Sequence, residues 1–136
     1  MPIQTRGACR FIVCLAALLL SGQALAHHSF AMFNHEHQLK MKGTVMFFEW
    51  SNPHVYIGLK GDDAAAASKV YTIECANPGI LDRAGWKWNM IKVGDQITVI
   101  IAPLKSGKPG GLLKQVTLAD GHQFSDGPAA GKPNIQ

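Results

Sequence analysis

Between Leu39 and Gly121 apolar side chains recur mainly at every second position, and one short stretch breaks that rhythm. Alternation of this kind marks strands with one buried face. LKMKGTVMFFEW, from Leu39, alternates and then carries Thr, Val, Phe and Trp, with Gly43 placed for a bulge or bend. Asn52-Pro53 is a turn signal, and HVYIGLKG after it sets Val55, Ile57 and Leu59 on one face. DDAAAAS reads as an exposed connection, because its alanine run is too short to nucleate a helix alone. KVYTIECA predicts a third strand, with Val70, Thr72 and Glu74 opposite Tyr71, Ile73 and Cys75.

The period changes at NPGILDRAGW. Asn77 suits an N-cap, Pro78 the first helical position and Gly85 the C-terminal cap, while Ile80, Leu81 and Ala84 share a face. One short helix is expected here. KVGDQITVIIAPL turns at Gly94-Asp95 and becomes a β-branched strand that Pro103 ends. KSGKPGG is a loop, LLKQVTLADG a fifth strand, and SDGPAAGKPNIQ a Gly/Pro-rich tail expected to be disordered. The order β-β-β-α-β-β, with the helix between strands three and four, predicts an OB-like five-stranded barrel. A small β-sandwich is the alternative.

The chain ahead of this domain has a different character. Arg6 and Arg10 precede an apolar run, FIVCLAALLL from Phe11, and Ala24-Leu25-Ala26 ends a more polar stretch. This is the pattern of a secretory signal peptide over residues 1–26, and its apolar core is too short for a permanent membrane span. A periplasmic protein is expected, with a His-rich leader at 27–38, the barrel domain at 39–121 and a flexible tail at 122–136. No later segment is apolar for long enough to cross a membrane.

Export also changes the charge. Loss of the two arginines lowers the formal net charge from +4 to +2, so the sequence pI near 9.1 overstates the basicity of the mature chain. Its lysines and arginines are spread evenly, which argues against nucleic acid as a partner. Cys9 and Cys14 leave with the signal peptide, and Cys75 remains without a disulfide partner. Its place in a β-like run makes it a small buried apolar residue first, and a ligand or nucleophile second.

AHHSFAMF after the signal, GTVMFFEWSNPH, LDRAGWKWNMIKVGD and PLKSGKPGGLLKQVTLADG occur in that order, and together the chain resembles the DUF6152 family of small exported bacterial proteins of unknown function. The likeness runs from His27 to about Gly121. It implies an exported, compact β-domain and no particular reaction. Asn34 stands where the family often has Asp, and Cys75 where its third strand commonly lacks a cysteine.

Two constellations carry candidate chemistry. The first is the leader, with His27, His28, His35 and His37. Cleavage after Ala26 would give His27 a free α-amine beside its imidazole, a pair of nitrogens able to chelate copper, or less tightly zinc. His35 and His37 would share a face on a strand and diverge by about 200° on a helix. The alternative is a solvated polar leader. The second is EWSNPH with GWKW: Trp50, Asn52 and His54 at the first inter-strand turn, and Trp86 and Trp88 after the helix. OB-folds bind ligands on this side of the barrel, where Lys105 and Lys108 of the strand 4–5 loop could approach. The alternative is that Trp50 and Trp86 plug the barrel while Trp88 half-covers its surface, and that His54 is bonded to backbone. No serine lies in a recognisable nucleophile motif, and Cys75 with His54 is the one conceivable nucleophile pair. A non-catalytic binding or accessory module for a small ligand or a periplasmic protein is therefore expected, with metal handling as the alternative.

Overall fold

The computed structural model describes residues 30–64 and 66–127. The chain divides into two compact units, Met1–Met32 and Phe33–Gln136, and the second holds the barrel. The expected signal peptide, its Ala24-Leu25-Ala26 junction and His27–His28 lie outside the described residues. Among the described residues no helix is long and apolar enough to cross a membrane.

Six strands and one short helix follow in the order β1 (Leu39–Glu49), β2 (Tyr56–Gly61), β3 (Val70–Glu74), α1 (Pro78–Arg83), β4 (Gln96–Pro103), β5 (Gly110–Thr117) and β6 (Gln123–Ser125). The sheet order is β3-β2-β1-β4-β5-β6, and β3 also pairs with β5. That last pairing is parallel, Thr72↔Gly110 to Glu74↔Leu112, and it closes β1 to β5 into an OB-type barrel. Closure of one sheet on itself rules out the sandwich. Two glycines let β5 fit closely between its neighbours, Gly110 against β3 and Gly111 against β4. A Cβ at Gly110 would stand 2.9 Å from the Thr72 carbonyl oxygen, and one at Gly111 would stand 2.6 Å from that of Ala102.

The alternation reads through to the interior. Met41, Val45, Ile57, Leu59, Ile73, Ile97, Val99, Ile101, Leu113 and Val116 fill the barrel with Leu81, Trp86 and Ile91. Each fully buried aliphatic side chain contributes roughly 1.5–3 kcal/mol relative to exposure. The helix starts as its residues dictate: the Asn77 side chain accepts a hydrogen bond from the Ile80 amide at 2.9 Å, and Pro78 occupies the first turn. Gly85, with φ of +91°, ends it in the left-handed region.

Four local features differ from the pattern reading. The bulge in β1 falls at Met46, between Val45↔Leu59 and Phe47↔Gly58, and not at Gly43. Gly43 lies in regular ladders to both neighbours because a Cβ there would collide with the Lys60 carbonyl. In the connection after β2, Ala66 is buried, and the Asp63 carboxylate accepts from its amide at 2.7 Å. Phe33, assigned to the leader, is buried against Ala102 and Leu112 on the outside of the barrel, and bridges to Leu104. The edge strand β6 lies within the segment set apart as tail; the Trp86 indole donates to the Ser125 carbonyl at 2.9 Å and packs edge-on to Phe124.

Gly110→Ala is expected to destabilise the domain by about 1–3 kcal/mol, because the Thr72 carbonyl of β3 must move to admit the methyl. Gly127, whose Cβ would meet nothing within 4 Å, serves as the control position. Urea midpoints of both alanine variants check this, and equal midpoints would refute the seam argument.

Candidate functional site

The turn from Trp50 to Val55 joins β1 to β2 at one end of the barrel. Ser51 Oγ donates to Glu49 Oε1 at 3.2 Å and to the His54 carbonyl at 3.3 Å, tying the turn to the strand before it. The Asn52-Pro53 peptide is cis. Beyond the turn, β2 and β3 stay paired through Val55 N to Ala76 O and Cys75 N to Val55 O. This pairing carries His54 across to β3, where its Nδ1 donates to the Cys75 carbonyl at 3.0 Å and lies 3.4 Å from Glu74 Oε1. His54 is thus bonded to backbone, and its ring also tilts toward Tyr56 at 6.5 Å.

Around His54 the register assembles ionisable groups that lie far apart in the chain. Glu49, Tyr56 and Glu74 are successive cross-strand partners on β1, β2 and β3. Burial, then the charges of Glu74, Glu49 and Cys75, raise the Tyr56 hydroxyl above its ordinary value. Asp126, just beyond β6, joins them: its Oδ1 accepts from the Ala76 amide at 2.7 Å. Burial pushes this carboxyl up to about 7, with a further rise from Glu74, against the opposing pull of the Ala76 hydrogen bond, Lys114 and His54. Cys75 is fully buried, and burial, then Asp126 and Glu74, hold its thiol well above the usual range. A thiol kept neutral in the core is a poor nucleophile.

A second feature lies on the other side of Trp50. Phe48, Trp50, Trp88, Asn89, Ile91, Lys92 and Val93 line a groove of about 550 Å³. Phe48 and Trp50 meet edge to face at 5.9 Å, and both pack on the core. Trp88 stands at the tip of a turn closed by Met90 N to Lys87 O, and is 69 % exposed; Val93 is 70 % exposed. Two large apolar side chains left in water beside a half-buried indole form a surface suited to stacking.

The predicted site residues therefore separate. Trp50 belongs to the groove, His54 to the ionisable cluster, and Asn52 is exposed at the turn between them. Trp86 is a correction: it is fully buried with its indole N–H spent on Ser125, so it is a core side chain. The expected approach of Lys105 and Lys108 also fails. Their loop enters β5 beside Thr72, near the start of β3, whereas the 50–55 turn lies at the end of β3. Asn89, Ile91, Lys92 and Val93 were missed, because a segment without period signals nothing until the fold places it beside Trp50.

His35 and His37 lie in a turn, not on a strand. Asn34 Oδ1 accepts from the amides of Glu36 and His37, each at 3.3 Å, a role that either Asn or Asp can fill. His35 meets Phe33 edge-on, and its Nδ1 lies 3.4 Å from Lys114 Nζ, a cation that opposes metal at that nitrogen. Among the described residues no three His, Cys, Asp or Glu side chains are grouped to hold a metal ion. His27 and His28, with which His35 or His37 could complete a copper or zinc site, lie outside the described residues.

Barrel closure, the helix between β3 and β4 and the position of the turn define an OB-type β-barrel domain. The chain matches the family of unknown function DUF6152 over residues 15–115, and it belongs to that family. Comparison with curated proteins gives no match.

Asp126 provides a test of the ionisable cluster. Its carboxyl binds a proton more tightly in the folded chain than in the unfolded one, so its contribution to stability is fully present below the ordinary value of 3.8 and is lost as pH rises through about 7. Asp126→Asn is expected to gain stability relative to the wild type as pH rises from about 4 to about 7, as followed by urea denaturation. Parallel pH profiles would show that Asp126 is not held in this way.

Proposed function

We propose that this chain is an exported, non-catalytic binding module, whose ligand docks in the groove between Trp50 and Trp88 beside the first inter-strand turn. One observation carries the reading. Trp88 and Val93 remain open to water facing the half-buried Phe48 and Trp50, in a groove whose one charged lining side chain is Lys92. Exposure of large apolar side chains is unfavourable unless something covers them, and stacked aromatics bind flat or apolar partners at about 1–3 kcal/mol per ring. The lysine favours a ligand with a negative group. The non-catalytic part of the proposal is supported by the neutral, buried Cys75 thiol and by the backbone bond that occupies His54 Nδ1. Export is supported by the signal-peptide pattern over residues 1–26.

The probe is 1-anilinonaphthalene-8-sulfonate, an apolar anion that suits this lining. Saturable binding to one site is expected, weakened at least about tenfold by Trp88→Ala, the loss of one stacked ring. The same variant should keep the wild-type urea midpoint, because the side chain is exposed. Unchanged affinity in both Trp88→Ala and Trp50→Ala would sink the groove reading. For export, protein recovered from a periplasmic fraction is expected to have the mass of a chain starting at His27. Recovery of the intact 136-residue chain from the cytoplasm would refute it.

A further inference from the structure

β1 changes its partners along its length. From Leu39 to Thr44 it pairs with β4, ending at Thr44↔Gln96, and from Gly43 to Glu49 it pairs with β2. Val45 N donates to Asp95 O at 2.9 Å, and Gly94 N donates to Val45 O at 2.8 Å. Beyond that point, among the described residues, Met46 is the bulged residue and Phe47 to Glu49 pair with β2 alone. Among the described residues nothing pairs with the opposite edge of β1 there.

The sequence around Gly94 accounts for this end of the pairing. Lys92 N donates to Asp95 Oδ2 at 2.8 Å, and Asp95 N donates to Lys92 O at 3.1 Å. Gly94 takes a φ of +93°, which a β-strand cannot contain. This turn diverts the chain before β4 begins, so residues 88–93 do not continue β4 alongside β1. They form the far wall of the aromatic groove, with Phe48 and Trp50 of the β1 end on the other.

A strand edge with no pairing partner among the described residues and an apolar groove, in one place, define a specific kind of partner. Backbone donors and acceptors along the edge are matched by another extended backbone, as in strand addition, and the groove walls then receive alternate side chains. Resting on the groove as the binding site, we propose that the natural occupant is an extended peptide segment of another protein that adds as a strand along Met46–Glu49. Its alternate side chains facing Phe48, Trp50, Trp88 and Val93 are apolar, and a carboxylate lies toward Lys92. Asn89 supplies an amide able to bond either a donor or an acceptor of that segment.

The probe is the peptide acetyl-TVTVTET-amide, whose valines and glutamate share one strand face, titrated into the full mature chain by tryptophan fluorescence and by amide hydrogen exchange of residues 46–50. Saturable binding with slowed exchange at these amides is expected. Two N-methylated versions, each blocking the amides of one peptide edge, separate strand addition from simple apolar contact. One of them is expected to bind at least about tenfold more weakly, the loss of two or so backbone hydrogen bonds. Replacing the peptide glutamate by lysine should weaken binding about threefold, and Lys92→Glu in the protein should reverse that preference. Equal binding of both methylated peptides and the parent, or no slowing of exchange, overturns strand addition. If the peptide fails to bind while 1-anilinonaphthalene-8-sulfonate binds in a Trp88-dependent way, strand addition is wrong and the groove reading survives. If neither binds, both are wrong. Protection of the same amides that grows with protein concentration alone would assign the edge to a second copy of this chain, and would also overturn the proposal.

Discussion

The parallel contact between β3 and β5 is the constraint on which the rest of this domain depends. It is only three residue pairs long, yet it turns a meander into a closed barrel. The two backbones can approach there because Gly110 carries no side chain to meet the Thr72 carbonyl, while Gly111 likewise spares the Ala102 carbonyl of β4. Closure then fixes what faces inward, and so which branched side chains leave water. It also sets Leu112 beside Glu74, with Phe33 lying over Leu112 on the outer surface. An interior enclosed this way needs no disulfide, consistent with Cys75 being packed as an apolar side chain.

Both ends of the domain are tied down on the same strand. Phe33 packs on Leu112, and Asp126 N donates to the Lys114 carbonyl at 3.3 Å, with β6 paired to β5 between them in the chain. Asp126 also caps the Ala76 amide just ahead of the Asn77 N-cap. The cluster of Asp126, His54, Glu74 and Cys75 is accordingly a structural knot in which polar groups satisfy backbone at the barrel end. The aromatic groove differs in kind: Phe48, Trp50 and Ile91 pack on the core from beneath, while Trp88 and Val93 are left largely in water.

Much of the fold was legible because burial enforces period. Val55, Ile57 and Leu59 alternate as they do because they line one barrel, and Asn77, Pro78 and Gly85 mark a helix through local bonds alone. The helix and the five barrel strands follow directly from such signals. The bulge at Met46 was not legible, since an extra residue in a ladder depends on the partner strand. β6 was hidden for a similar reason: Gln123–Ser125 looks like part of a Gly/Pro-rich tail until the Trp86 indole N–H requires an acceptor. The candidate site was legible only in part. Trp50 and His54 were visible as polar and aromatic residues at a turn, but they face different neighbours once β3 and the 88–93 segment are in place.

The sequence by itself determined the class of domain, its family, the helix and most of the core. Those depend on side-chain polarity, on period and on short-range backbone bonds, all of which act between near neighbours. Tertiary structure alone decided that Trp86 is core while Trp88 is surface, although they are two residues apart. It also decided that Lys105 and Lys108 lie away from the first turn, and that the last four residues of β1 have no strand on one edge among the described residues. Each of these outcomes depends on which distant segment arrives alongside, and closure of the barrel settles that.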